Sequence, residues 1–256
     1  MSTFDLDIII PVYNEGPNIG RVLDLLAREV RGRFRVLICY DKEDDNTLPA
    51  LAPFETTLAI VRVKNPSRGP HSAIMAGFRA SRADGAVVYP ADDDLNAGQL
   101  NEMLDMLRSG HEIVCASRFI AGGSMVGCPW LKATLVRVAA FTLHHFARVP
   151  TRDATNGFRM FSRRVIRDIE VESSEGFTYA IELLVKAHRL GWGIGEIPAQ
   201  WRERGKGQGS SRFKVLGWVP AYLRWYSYAF ATTFLRLGPA TVPLRTEVRH
   251  AEEGIR

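Results

Sequence analysis

The sequence predicts an α/β protein built on a mainly parallel, doubly wound sheet with crossover helices. Two observations carry this: short β-branched runs alternate with helical patterns through the first half of the chain, and the helical patterns show the three-and-four spacing of a single buried face. Five strands are expected, at 6–10, 35–40, 58–63, 86–89 and 112–116. Between the first two, Ile19, Val22, Leu23, Leu26 and Val30 form one helix stripe, with Pro17 and Asn18 at the helix start. A second helix is expected over 72–82. A third follows Asn96, with Leu100, Met103, Leu104 and Leu107 as its buried stripe and Gly110 as its stop. In open sheets of this kind ligands bind outside the carboxyl ends of the strands, so residues there carry the most functional weight.

The second half departs from this rhythm. Residues 130–146 are apolar but carry Lys132, Arg137, His144 and His145, and 177–190 reads as a helix leading to a strand over 194–201. From Phe213 to Leu237 the chain holds Trp218, Tyr222, Trp225, Tyr226, Tyr228 and Phe230 among Lys214, Arg224 and Arg236. Rings mixed with long basic chains suit a helix in a membrane interface, and equally a helix packed on the main domain. The expected organisation is a main domain over 1–212, an amphipathic membrane-associating helical segment over 213–244 and a polar tail over 245–256.

The 256 residues are 46% hydrophobic and 24% charged, which excludes disorder, collagen and small disulfide scaffolds. The net charge of +5 and pI near 9.3 favour a phosphorylated ligand, an anionic membrane or a nucleic acid without choosing among them. Nucleic acid is not expected, because the basic residues are not set in a recognised nucleic-acid motif. Cys39, Cys115 and Cys128 lack metal-ligand spacing and read as structural. No apolar run is long enough to span a bilayer, and the first seven residues lack a signal-peptide core, so a cytoplasmic location is expected.

The strongest local signal for chemistry is Asp92-Asp93-Asp94 after the strand at 86–89. If the strand continued, Asp92 and Asp94 would share one face and reach a single cation, and oxygen donors without His or Cys point to Mg²⁺ or Mn²⁺. An exposed acidic turn before the third helix explains the cluster as well. Asp41 follows the second strand and Pro11-Val12-Tyr13-Asn14-Glu15 follows the first, so three polar clusters converge on one sheet edge.

These residues, with Leu95 and the later Asp153-Ala154-Thr155-Asn156-Gly157-Phe158-Arg159, resemble the motifs of glycosyltransferase family 2, in particular its polyprenyl-phosphate, dolichol-phosphate mannosyltransferase-like branch. The resemblance runs from about Asp7 to Phe213. Ser117-Arg118 with Gly122-Gly123 resembles the basic loop after the fifth strand, and Glu196-Ile197-Pro198 the strand before the closing segment. That segment, usually Arg-x-x-Gly-x-Ser-Lys, here reads Lys206-Gly207-Gln208-Gly209-Ser210-Ser211-Arg212, so the two basic residues have exchanged places. Residues 42–47 lack the usual Gly-Ser, Asn96 replaces a common Gln, and Asp93 stands where relatives carry a small residue and is assigned no metal role.

The resemblance implies a GT-A fold and an inverting, metal-dependent transfer of a sugar from a nucleotide-diphosphate sugar to a polyprenyl phosphate at the cytoplasmic membrane face, by a peripheral enzyme with or without a membrane-protein partner. It implies that Pro11, Tyr13, Glu15 and Asp41 contact base and ribose, and that Asp92 and Asp94, with the Asn96 carbonyl, hold Mg²⁺ or Mn²⁺ against the diphosphate. Arg118, Lys206 and Arg212 would stabilise the charge of the leaving diphosphate. With a hydroxyl acceptor, Asp153 is the base by motif position, although a turn or helix cap also suits it. The alternatives are the same donor chemistry with a soluble or glycan hydroxyl acceptor, and a non-catalytic nucleotide-binding module.

Overall fold

The computed structural model describes residues 3–202 and 215–245. The chain divides into two compact units, Met1–Val114 with Phe158–Arg167, and Cys115–Gly157 with Asp168–Arg256. The boundary expected at residue 212 lies outside the described residues.

In the first unit the order is β1 (Leu6–Val12), α1 (Gly16–Glu29), β2 (Phe34–Tyr40), α2 (Thr47–Ala50), β3 (Ile60–Lys64), α3 (Pro70–Ala80), β4 (Gly85–Val88) and α4 (Gln99–Arg108), with β7 (Arg159–Ser162) and most of α6 (Arg163–Asp168) returning later. The elements follow the hydrophobic pattern. Ile19, Val22, Leu23 and Leu26 are the buried face of α1, and Leu100, Met103 and Leu104 that of α4. β1 is buried almost throughout because it lies between β2 and β4, parallel to both, so an unbroken apolar run replaces alternation.

β5 (Ile113–Ser117) begins in the first unit and ends in the second. The second unit continues with β6 (Ser124–Val126), α5 (Trp130–His145), α7 (Thr178–Arg189), β8 (Ile194–Pro198), β9 (Gln200–Arg202) and α8 (Val215–Phe234). The main sheet has the order β3-β2-β1-β4-β7-β5-β8, and β6 pairs with β9 in a small parallel ladder. The sheet is mainly parallel, as expected. β7, unforeseen, runs antiparallel to β4, in the register Ala86↔Phe161.

Register sets the sheet edge. Val12 lies beside Tyr40 and Tyr40 beside Lys64, so the loops after β1, β2 and β3 start side by side, with Tyr13, Asp41 and Asn65 as their first residues. β4 stops earlier, where Val88 pairs with Ile9, and the Tyr89 amide still donates to the Ile9 carbonyl at 2.9 Å.

α8 packs against the second unit along one side. Trp225 and Ala229 are buried where it packs on α7 and α5, and the Tyr226 hydroxyl donates to Thr142 Oγ1 at 2.7 Å. Leu223, Phe234 and Leu235 remain exposed. No helix among the described residues is long and apolar enough to cross a membrane.

Candidate active site

Residues expected at the site fall in both units. Pro11, Tyr13, Glu15, Asp41, Asp92, Asp94 and Asn96 lie in the first unit, at the strand ends. Arg118 and Asp153 lie in the second. Lys206 and Arg212 are outside the described residues.

Asp41 caps β2 and braces the next loop. Its Oδ1 accepts from Asn65 Nδ2 at 2.6 Å and its Oδ2 from the Gly69 amide at 2.8 Å. Gly69 has φ +91°, a conformation open chiefly to glycine. Buried Asn65 passes the order on by accepting from Ser72 Oγ and the Ser67 amide. A ligand lying on Asp41 therefore meets a carboxylate whose orientation is already fixed. Tyr13 is 42% exposed, and the Glu15 carboxylate accepts from Asn18 Nδ2 at 2.7 Å.

The acidic cluster corrects the sequence argument for a shared face. β4 ends at Val88, Pro90 follows, and the chain turns at Ala91–Asp92, so strand alternation does not extend through Asp94. Asp93 is the structural member. It accepts from the amides of Leu95 and Asn96, from Asn96 Nδ2 at 2.7 Å and from the Tyr89 hydroxyl, while burial pushes its carboxyl above the ordinary range. Asp92 is half-buried and Asp94 exposed, on either side of it. Asp94 pairs with Arg21 of α1 at 3.3 Å, both side chains substantially exposed, a contact worth at most about 1 kcal/mol. Asn96 is buried with its amide nitrogen committed to Asp93, so any cation contact falls to its carbonyl oxygen.

A hard divalent cation that keeps several waters suits this set of oxygen donors. Asp94 offers an exposed carboxylate beside half-buried Asp92, and its pair with Arg21 is weak enough to be exchanged for a metal ion. Among the described residues no group of three His, Cys, Asp or Glu side chains forms a metal site.

In the second unit Arg118 and Asp153, 35 residues apart in sequence, form a buried two-pronged ion pair. Arg118 Nε donates to Asp153 Oδ2 at 2.7 Å and Nη2 to Oδ1 at 2.8 Å, and the Arg118 amide also reaches Oδ2. Thr155 Oγ1 bridges the two, and the Asp153 side chain is 0% exposed. Both carboxylate oxygens are thus spent on orienting a guanidinium. Arg159, on β7, is fully buried, as a structural residue would be.

The sequence reading missed Asp45, Asn46 and Thr47. Their side chains take up the backbone amides of Asn14, Glu15 and Gly16. The Asp-x-Thr spacing, in which Asp45 accepts from its own Thr47 amide, is the local signal that was available.

Residues 7–170 match the family described as Glycosyl transferase family 2, nearly two thirds of the chain. The chain belongs to glycosyltransferase family 2. Among curated relatives, the polyprenol monophosphomannose synthase of Mycolicibacterium smegmatis is 26% identical over 227 residues, covering 82% of this chain and 85% of that protein. The dolichyl-phosphate hexose transferase of Haloferax volcanii is 28% identical over 204 residues, covering 78% and 84%. These relatives bear out the polyprenyl-phosphate branch resemblance and mark this family 2 chain as a glycosyltransferase, against the non-catalytic alternative. The glucosyl-3-phosphoglycerate synthase of Mycobacterium tuberculosis, crystallised with UDP, superposes with a TM-score of 0.64 at 17% identity, covering 89% of this chain and 80% of that one. A second crystal structure of that protein, with Mn²⁺, UDP and glucosyl-3-phosphoglycerate, gives 0.61 at 16% identity, covering 94% and 81%. At such identity the likeness shows the GT-A fold. Crystals of that neighbour carry Mn²⁺ or Mg²⁺ with UDP.

Proposed function

We propose that this family 2 enzyme transfers a sugar, with inversion, from a nucleotide-diphosphate sugar to a polyprenyl phosphate, acting as a peripheral protein at the cytoplasmic membrane face. In this reading the nucleotide lies over the ends of β1 and β2, against Pro11, Tyr13, Glu15 and Asp41. Asp92 and Asp94, with the Asn96 carbonyl, hold Mg²⁺ or Mn²⁺. The cation, when bound, neutralises negative charge on the diphosphate. Arg118, locked by Asp153, supplies a fixed positive charge, and Lys206 and Arg212 add further cationic groups for the leaving diphosphate.

The bond from the sugar's anomeric carbon to the diphosphate breaks as a bond to an acceptor phosphate oxygen forms on the opposite face. The electron pair leaves with the diphosphate. A phosphate monoester, with its second pKa near 6, is already ionised at neutral pH, so no side chain has to remove a proton. A hydroxyl acceptor would need a base, and Asp153, the carboxylate at that motif position, has both oxygens engaged by Arg118.

The observation that carries the lipid acceptor is the outer face of α5. Leu131, Leu135, Val138 and Phe141 are 55–56% exposed and Trp130 is 79% exposed, and their spacing makes one stripe from Trp130 to Phe141. Lys132, Arg137, His144 and His145 flank it. An apolar stripe bordered by the cations Lys132 and Arg137, with a ring at the helix start, suits a headgroup layer. The exposed Leu223 and Phe234 of α8, with Leu235 just after it, add to that character.

The test is an incubation of pure protein with Mn²⁺, labelled nucleotide sugars and polyprenyl phosphate. Sugar should become lipid-extractable, and the Asp94→Ala variant should fold normally yet transfer nothing. Transfer to free sugars or glycans with none to polyprenyl phosphate would overturn the proposal.

A further inference from the structure

We propose that Asp45 is a positioning residue which, with Asn46 and Thr47, clasps the loop after β1 and pre-sets it for the nucleotide. This rests on the nucleotide-sugar reading above. The clasp is a one-to-one match of side chains to consecutive amides. Asp45 accepts the Asn14 amide on both oxygens at 3.1 Å, Thr47 Oγ1 accepts the Glu15 amide at 2.9 Å, and Asn46 Oδ1 accepts the Gly16 amide at 2.9 Å. Asp45 and Thr47 are buried and tied together by the Thr47 amide, which donates to Asp45 Oδ1 at 2.9 Å.

Such outside help answers a local need. The first amides of a helix have no partner inside it, and α1 opens without a side-chain cap of its own. The Gly16 amide that opens α1, with the Glu15 and Asn14 amides just before it, is instead satisfied from about thirty residues downstream, and the Asp45 carboxylate sits where the positive end of the helix dipole favours a negative charge. Asn14 is held at φ +56°, in the left-handed region that non-glycine residues avoid unless their surroundings compensate. A Cβ on Gly16 would come within 2.7 Å of the Asn46 carbonyl oxygen, so the two segments can meet this closely only with glycine there. Tyr13 and Glu15 flank the strained residue, and the clasp therefore determines where both present themselves. Without it the binding-competent loop becomes one of several conformers, and apparent donor affinity falls by the fraction lost.

Asp45→Ala removes two amide partners, and Thr47→Val removes one with little change of shape. The expected result for Asp45→Ala is a donor KM raised about tenfold or more, with kcat within about threefold of the parent and acceptor KM unchanged. Thr47→Val should show the same split at smaller amplitude and covers the case in which Asp45→Ala does not fold. Hydrogen exchange supplies a readout independent of activity: the amides of Asn14, Glu15 and Gly16 should be protected in the parent and lose protection in the variants. Asp45→Asn, which keeps one acceptor oxygen, should recover part of both effects. Unchanged exchange at these amides, or equal losses for donor and acceptor, would overturn the positioning role while leaving the transferase reading intact. A parent protein that neither binds nor uses any nucleotide sugar would overturn both.

Discussion

Replacing Lys186 with Met should destabilise the second unit by about 3 kcal/mol. The ammonium is 0% exposed and lies 2.6 Å from Glu182 Oε1, 2.7 Å from Glu172 Oε2 and 2.6 Å from the Glu170 carbonyl, with its Nζ 5.1 Å from the centre of the Trp225 ring. Removing one partner of a buried ion pair costs about 3–5 kcal/mol, because the other charge stays behind. The lower end applies here. Glu182 keeps the Glu172 and Ser173 amides as donors, and Glu172 keeps Arg224 at 2.7 Å. For a chain of this size 1 kcal/mol moves the thermal midpoint by about 2–4 °C, so a fall of about 6–12 °C is expected. The double variant Lys186→Met with Glu182→Gln should recover part of it, since the carboxamide is neutral yet still accepts an amide. Acid dependence adds a second check. Burial pushes the Glu172 carboxyl up, but Lys186 and Arg224 outweigh it and hold it below the ordinary glutamate value. Its contribution is therefore present above the unfolded-state pKa and lost as pH falls through the folded one, and Lys186→Met should weaken that acid limb. Urea unfolding followed by circular dichroism at several pH values measures both effects. A Lys186→Met variant within about 1 kcal/mol of the parent with an unchanged denaturant slope would refute the reasoning.

Four further outcomes are expected. Burial raises the Asp7 carboxyl, but Arg35, the Ala83 and Arg82 amides and Ser81 together bring it below the usual range, so its stabilisation disappears as pH falls; Asp7→Asn should flatten stability against pH below about 4, and an unchanged slope would count against it. Burial pushes the Cys39 thiol up to about 12, and Cys128 is only half-buried; a thiol reagent at neutral pH should label Cys128 in the native protein and Cys39 only after denaturation. Leu135→Glu with Phe141→Glu on α5 should abolish flotation with anionic liposomes without changing helix content; undiminished flotation would remove α5 from the membrane contact. Asp153→Asn should lower activity toward polyprenyl phosphate without altering the shape of the pH profile, because it loosens Arg118 and removes no base; loss of an ionisation from the profile would restore the base assignment.

Much of the fold could be read because burial on both faces leaves unbroken β-branched runs, as in β1, and because α1 and α4 have one dry face each. β6 and β7 escaped for the opposite reason. They are three and four residues long, and β7 begins at the last residue of a Gly-Phe-Arg motif that reads as a loop. The strand ends could be located, and with them Tyr13, Asp41 and Asp92, since each loop starts where an apolar run stops. Partners were less accessible to sequence. Nothing local in Asp153 indicates that Arg118 will fill both of its oxygens, and nothing in Asp93 separates it from its neighbours until the turn after Val88 brings it to the Tyr89 hydroxyl and the Leu95 and Asn96 amides. The face shared by Asp92 and Asp94 was inferred from strand periodicity, which fails wherever the strand has already ended.

The acids of this chain divide by the partners they keep, and the division bears on the reaction. Asp41, Asp45, Asp93 and Asp153 each accept two or more hydrogen bonds from within their own unit and act as fixed supports for loops or for Arg118. Asp94 differs: it is exposed, and its ion pair with Arg21 is one that a divalent cation can displace at little cost. In the proposed reaction these engaged carboxylates hold geometry and exposed Asp94 is left for the cation, an arrangement that manages negative charge and removes no proton. A nucleophile that arrives already ionised suits that arrangement. Among the two acceptor classes the motifs allow, the phosphate is the one whose chemistry demands nothing of Asp153 beyond holding Arg118 in place.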